Sequence, residues 1–158
     1  MSATRVSFYV LSGAEPTTRL GYACRLAEKA YKLQNRIHAH ARDIVMARAL
    51  DELLWTFRQG SFVPHELLAP ASPQEGGQQQ GAQPTAPISI GSADADGRIE
   101  PPAADLLINL ADEVPAFFNR YPRIAEIIEG SPASRESGRV RHRFYRDQGL
   151  EPETHEVT

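Results

Sequence analysis

The sequence predicts an α/β domain of three layers, with helices on both faces of a mostly parallel, Rossmann-like sheet. Strand-like runs alternate with segments of helical period through the first sixty residues. Further runs at 87–92, 104–110 and 123–128 need those early helices as cover. A chain of 158 residues, 41% of them hydrophobic, suffices for one core and fits a single domain.

Arg5 to Leu11 is β-branched and aromatic, too short for a helix, and closed by Ser12-Gly13, which predicts a buried strand. From Thr18 the period changes. Leu20, Ala23, Cys24, Ala27, Ala30 and Tyr31 recur at helical spacing to about Leu33, with Arg19, Arg25, Glu28, Lys29 and Lys32 largely on the other side. Arg36 to Ala41 is a second strand. Asp43 can cap a helix whose apolar positions are Met46, Ala49, Leu50, Leu53, Leu54 and Phe57. Ala69 to Pro87 holds four Pro, three Gly and five Gln with nothing aliphatic larger than Ala, which predicts a mobile loop within the domain. Strands follow at Pro87–Ser92 and Ala104–Leu110, joined through an Asp94-Ala95-Asp96-Gly97 turn. Val114 to Arg120 has no clear period; Arg123 to Ile128 reads as a fifth strand. Ser131 to Gly149 reads as a helix that Gly149 closes.

No run approaches the ~20 apolar residues of a membrane span. Met1 to Arg5 leads into a strand-like run rather than a signal sequence, so a cytoplasmic protein is expected. The lone Cys24 makes no internal disulfide and reads as a buried small hydrophobe. Net charge is −3, which gives the whole molecule no reason to condense on nucleic acid or anionic membrane. The charge is uneven, however: Arg135, Arg139, Arg141, Arg143 and Arg146 against Glu136 and Asp147 make residues 131–149 +3, leaving −6 elsewhere.

Candidate enzymatic chemistry is thin. The dinucleotide and P-loop glycine patterns are absent, leaving only Ser12-Gly13-Ala14 before Thr17-Thr18 as a phosphate cradle, a place where any strand must turn into a helix. His38 and His40 alternate on one strand and face one side, but no third metal ligand accompanies them, and His65, His142 and His155 fall in segments read as surface. No nucleophile elbow is present. No cofactor is expected, and a small nucleotide- or metal-binding enzyme is the competing reading.

Two segments carry more. On the last helix Arg135, Arg139, His142, Arg143 and Arg146 fall within about a 100° arc, with Val140 and Phe144 opposite, a cationic stripe on a docked helix. Stacked like charges suit either a solvated basic face or an anion-binding surface for carboxylates or phosphates. The second segment, Leu53 to His65, gathers the only Trp with Phe57, Phe62, Pro64 and His65, either a lid on the core or an exposed patch for another protein.

Val6 to Leu11, Leu50 to Trp55, Ser61-Phe62-Val63-Pro64-His65, Leu107 to Leu110 and Arg139-x-Arg141-x-Arg143-Phe144-Tyr145-Arg146 closing at Gly149 stand in an order and spacing that resembles the chi subunit of bacterial DNA polymerase III. The resemblance runs over nearly the whole chain. It implies a non-catalytic accessory of the clamp loader with two faces. One, matching Trp55, Phe62, Val63 and Pro64, would bind the psi subunit. The other, matching Ile128 as an apolar pocket and Arg135, Arg139, His142 and Arg143 as its basic rim, would bind the acidic C-terminal tail of single-stranded-DNA-binding protein, which ends in a hydrophobic residue and a free carboxylate. His142 departs from the Tyr common at its place. Contact with nucleic acid is then mainly indirect; direct binding of single-stranded DNA by the stripe is a third reading.

Overall fold

A computed structural model describes residues 4–12, 16–57, 59, 60, 62–68, 86–93 and 101–157. The elements run β1 (Arg5–Leu11), α1 (Pro16–Lys32), β2 (Ile37–Ala41), α2 (Ile44–Thr56), β3 (His65–Leu67), β4 (Ile88–Ser92), β5 (Leu106–Asn109), a 3-10 turn (Phe118–Arg120), β6 (Arg123–Ile128), α3 (Pro132–Asp147) and β7 (Glu153–Val157). All seven strands join one sheet in the order β3-β4-β2-β5-β6-β1-β7, and every pairing is parallel. The α/β class and all five expected strands are therefore present. The Ala69–Pro87 loop, apart from its last two residues, the Asp94–Gly97 turn, and Gly13-Ala14 of the possible cradle lie outside the described residues.

Strand alternation sorts side chains between the two faces. On one, Leu11, Ile37, Ala39, Ile108, Ala125 and Ile127 pack under α1 and α2; on the other, Val6, Phe8, Leu107, Ile124 and Ile128 pack with Tyr121 and with Tyr145 of α3. Alanines at 23, 27 and 30 and Cys24 let α1 lie close to the sheet. Burial pushes the Cys24 thiol up to about 12, so it acts as packing rather than as a nucleophile. Asp43 caps α2 as expected, its carboxylate accepting the Met46 N–H at 2.8 Å. At the other end of the chain, Gly149 takes φ +86° just beyond α3, a conformation that favours glycine.

Two strands are added to those expected, and three expectations are corrected. The edge strands β3 and β7 carry no signal in the sequence, since three residues in one and Glu153-Thr154-His155-Glu156 in the other offer no apolar alternation; only backbone pairing to β4 and β1 makes them strands. Arg19 and Glu28 are buried rather than on the outer side of α1. Arg19 reaches the Ile127 carbonyl at 2.9 Å, and burial, followed by the charge of Arg141, lowers its pKa. Val140 and Phe144 are not the buried face of α3 either: Val140 is exposed, Phe144 meets the body through Phe118, and the helix buries Gly138, Arg141 and Tyr145 instead. Finally, His65 is not a surface residue, its side chain being fully buried.

Candidate protein-interaction surfaces

Ser131 opens α3 as its N-cap, accepting the Ser134 N–H at 3.2 Å, with Pro132 in the first turn. The rotation of α3 is then set by a polar cluster beneath it. Glu126, on β6 and 0% exposed, accepts from Arg141 Nε (2.8 Å), Asn109 Nδ2 (2.8 Å) and the Tyr145 hydroxyl (2.6 Å). Arg141 also donates to the Asp112 carbonyl at 3.0 Å and to Ser137 Oγ. Burial, then the charge and hydrogen bond of Glu126, raise the pKa of Tyr145, which keeps it a donor. A carboxylate with three donors and a guanidinium with several acceptors satisfy each other where neither meets water.

With Arg141 and Tyr145 turned inward, Arg135, Arg139, Arg143 and Arg146 point to solvent along one side of the helix. The structure thus brings together four of the five tail-site positions expected from the sequence as rim: Arg135, whose Nε reaches the Gly130 carbonyl at 3.3 Å, Arg139, Arg143, and a half-buried His142 whose ring lies 5.2 Å from that of Phe8. Ile128, the fifth, lies under α3 and is only 6% exposed. Arg139 is held by Glu136 at 2.9 Å, an ion pair open to solvent. The apolar residues that α3 leaves exposed form a second strip, Phe144 stacking edge-on against Phe118 at 5.5 Å.

The other patch lies on the opposite face of the sheet, toward the β3 edge. Trp55 ends α2 with 53% of its surface exposed, and Phe62 follows with 67%, their rings 5.7 Å apart. His65 organises them from below. One ring nitrogen meets the Val63 carbonyl at 2.7 Å and the other the Asp51 carbonyl at 2.9 Å, while Trp55 covers the ring at 4.5 Å. Val63 is buried, so it anchors the loop from which Phe62 and Pro64 project.

His38 and His40 share one side, as their alternation requires, and that side is filled. His38 bonds Ser89 Oγ at 2.8 Å and stacks on Tyr121, and His40 meets the edge of Phe117 at 5.2 Å. Burial, then the neighbouring His40, lowers the His38 pKa to about 3. Among the described residues no group of three His, Cys, Asp or Glu is placed to hold a metal ion, and no helix is long and apolar enough to cross a membrane.

Residues 3–153 match the family model described as DNA polymerase III chi subunit, HolC. The chain belongs to the DNA polymerase III chi subunit family. Among chi-family relatives, DNA polymerase III subunit chi of Pseudomonas aeruginosa is 38% identical over 154 residues, 98% of this chain and 97% of that one. The Haemophilus influenzae subunit chi is 28% identical over 155 residues, 98% and 99% of the two chains. Chi-family membership supports an accessory role in DNA replication. Asn109, Glu126 and Arg141, to which sequence pattern assigns no role, hold α3 in place; their one signal in the sequence is that Asn109 and Arg141 stand inside the segments of resemblance.

Proposed function

We propose that the protein is a non-catalytic adaptor that joins two partners of the replication machinery through chemically different surfaces. The Trp55–Phe62 patch, with Pro64 beside it and Val63 beneath, takes the psi subunit and through it the clamp loader. The α3 row takes the acidic C-terminal tail of single-stranded-DNA-binding protein. The observation that carries the reading is the solvent-facing run Arg135, Arg139, Arg143 and Arg146 on a helix whose remaining arginine, Arg141, is consumed inside. Four forked cations in line, on a molecule with a net charge of −3, offer carboxylates a local target while limiting the number of phosphates the protein can neutralise. The two patches lie on opposite faces of the sheet, so one partner leaves the other's surface free.

Exposed pairs contribute little each, so the tail binds with micromolar affinity, about −7 to −8 kcal/mol, and weakens with salt. A fast off-rate suits a contact remade as a polymerase advances, and several tails per binding protein restore hold through effective concentration. The test is a calorimetric titration with the tail peptide and with the same peptide lacking its last residue. Micromolar binding of the first, reduced to a weak remainder with the second and in Arg139→Glu, supports the adaptor. Equal binding of both defeats the tail-site reading; competition by DNA oligomers in the absence of any partner, with a steep salt slope, replaces it with direct single-stranded-DNA binding.

A further inference from the structure

Gly138 sits in the interior of α3 and faces the sheet. Glycine there loses more backbone entropy on folding than alanine would, so its presence needs a reason in packing. The contact supplies one. A Cβ at 138 would lie 2.3 Å from Ile128 Cδ1, 3.0 Å from its Cγ1 and 3.7 Å from its Cγ2, so the three atoms nearest to it all belong to Ile128. The helix backbone at 138 therefore packs directly on the one apolar residue that the proposed tail site includes.

Relief by lifting the helix is blocked on both sides. On the N-terminal side Ser134 Oγ accepts the Glu129 N–H at 3.1 Å, and Ser137 donates to the Asp112 carbonyl at 3.3 Å. On the C-terminal side Arg141 is locked to Glu126, and His142 rests on Phe8. A side chain at 138 must act on Ile128, turning its δ-methyl away from the helix.

We propose that Gly138 is a specificity-determining position: the space it leaves empty holds Ile128 in the orientation that receives the tail's terminal apolar residue beside the arginine row. The inference rests on the tail-site reading, and its test separates the two. Both peptides, full-length and lacking the last residue, are titrated into the wild type, Gly138→Ala and Gly138→Ala/Ile128→Val. In Gly138→Ala the full peptide loses about tenfold, the scale of a methylene-sized misfit in an apolar pocket, while the weak, salt-sensitive binding of the shortened peptide stays. The double variant recovers most of the loss, because valine lacks the Cδ1 atom that the new Cβ meets.

A Gly138→Ala protein that still prefers the full peptide by the wild-type factor overturns the proposal. So does a double variant that folds without recovering, or one that fails to fold, since the δ-methyl would then not be what Gly138 accommodates. If Gly138→Ala alone is unfolded, the double variant decides. A wild type that does not distinguish the two peptides shows instead that the tail-site reading itself has failed.

Discussion

Replacing Glu126 by Gln tests the cluster under α3 most directly. The carboxylate is 0% exposed and takes three donors within 2.8 Å, among them Arg141, whose side chain is 4% exposed. Gln keeps the volume but brings one acceptor oxygen and an NH2 group that confronts a donor. It also strips the counter-charge from a guanidinium that cannot reach water. Breaking a buried pair from one side costs about 3–5 kcal/mol, a large part of the roughly 5–15 kcal/mol that holds a domain. In urea, with a slope of about 2 kcal/mol/M, the midpoint falls by about 1.5–2.5 M. Glu126→Leu combined with Arg141→Met removes both charges and costs less than the single change, since no ion is left unpaired. Equilibrium denaturation followed by far-UV circular dichroism gives all three midpoints. A single variant within about 1 kcal/mol of wild type, the worth of an ordinary neutral hydrogen bond, refutes the view that this pair is desolvated and that it sets the helix.

His38 stays neutral in the fold, its pKa lowered from 6.5 to about 3 by burial and by His40. The unfolded chain therefore binds the proton first as pH falls, and stability drops by up to about 1.4 kcal/mol per pH unit from about 6.5 downward toward 3. The pH dependence of stability over that range should be shallower in His38→Gln than in wild type, and parallel curves would show that His38 is not responsible. Glu136→Gln releases Arg139 from an exposed pair at 2.9 Å; because such a pair is worth only a few tenths of a kcal/mol, tail affinity in calorimetry should rise about twofold. An unchanged or weaker affinity would mean that Arg139 does not meet the tail. Trp55→Ala should leave the denaturation midpoint within the range of surface changes yet weaken psi binding by about 2 kcal/mol or more, as truncating an exposed aromatic anchor does. Intact binding of psi by that variant would remove the Trp55–Phe62 patch from the reading.

Much of the architecture was legible in the sequence because it depends on local period. The apolar alternation and helical spacing of residues 5–57, the Asp43 cap, the strand at 123–128 and the Gly149 stop are each written in neighbouring residues. So was the existence of two surfaces, since an arginine-dense helix and a Trp-Phe-Pro cluster stand out by composition alone. What a helical wheel could not decide was which side of α3 faces the sheet. By hydrophobicity the answer was Val140 and Phe144; the structure buries Arg141, Tyr145 and Gly138, because β6 offers them Glu126 and Ile128. That choice rests on a charge 15 residues away in sequence and on a gap that only packing reveals. The same holds for His65, read as surface and found clamped between two carbonyls, and for β7, a strand by virtue of β1 alone. Patterns of three, four and two residues determine elements. Which polar groups are buried, and so which way a surface faces, is determined by partners that only the folded chain brings together.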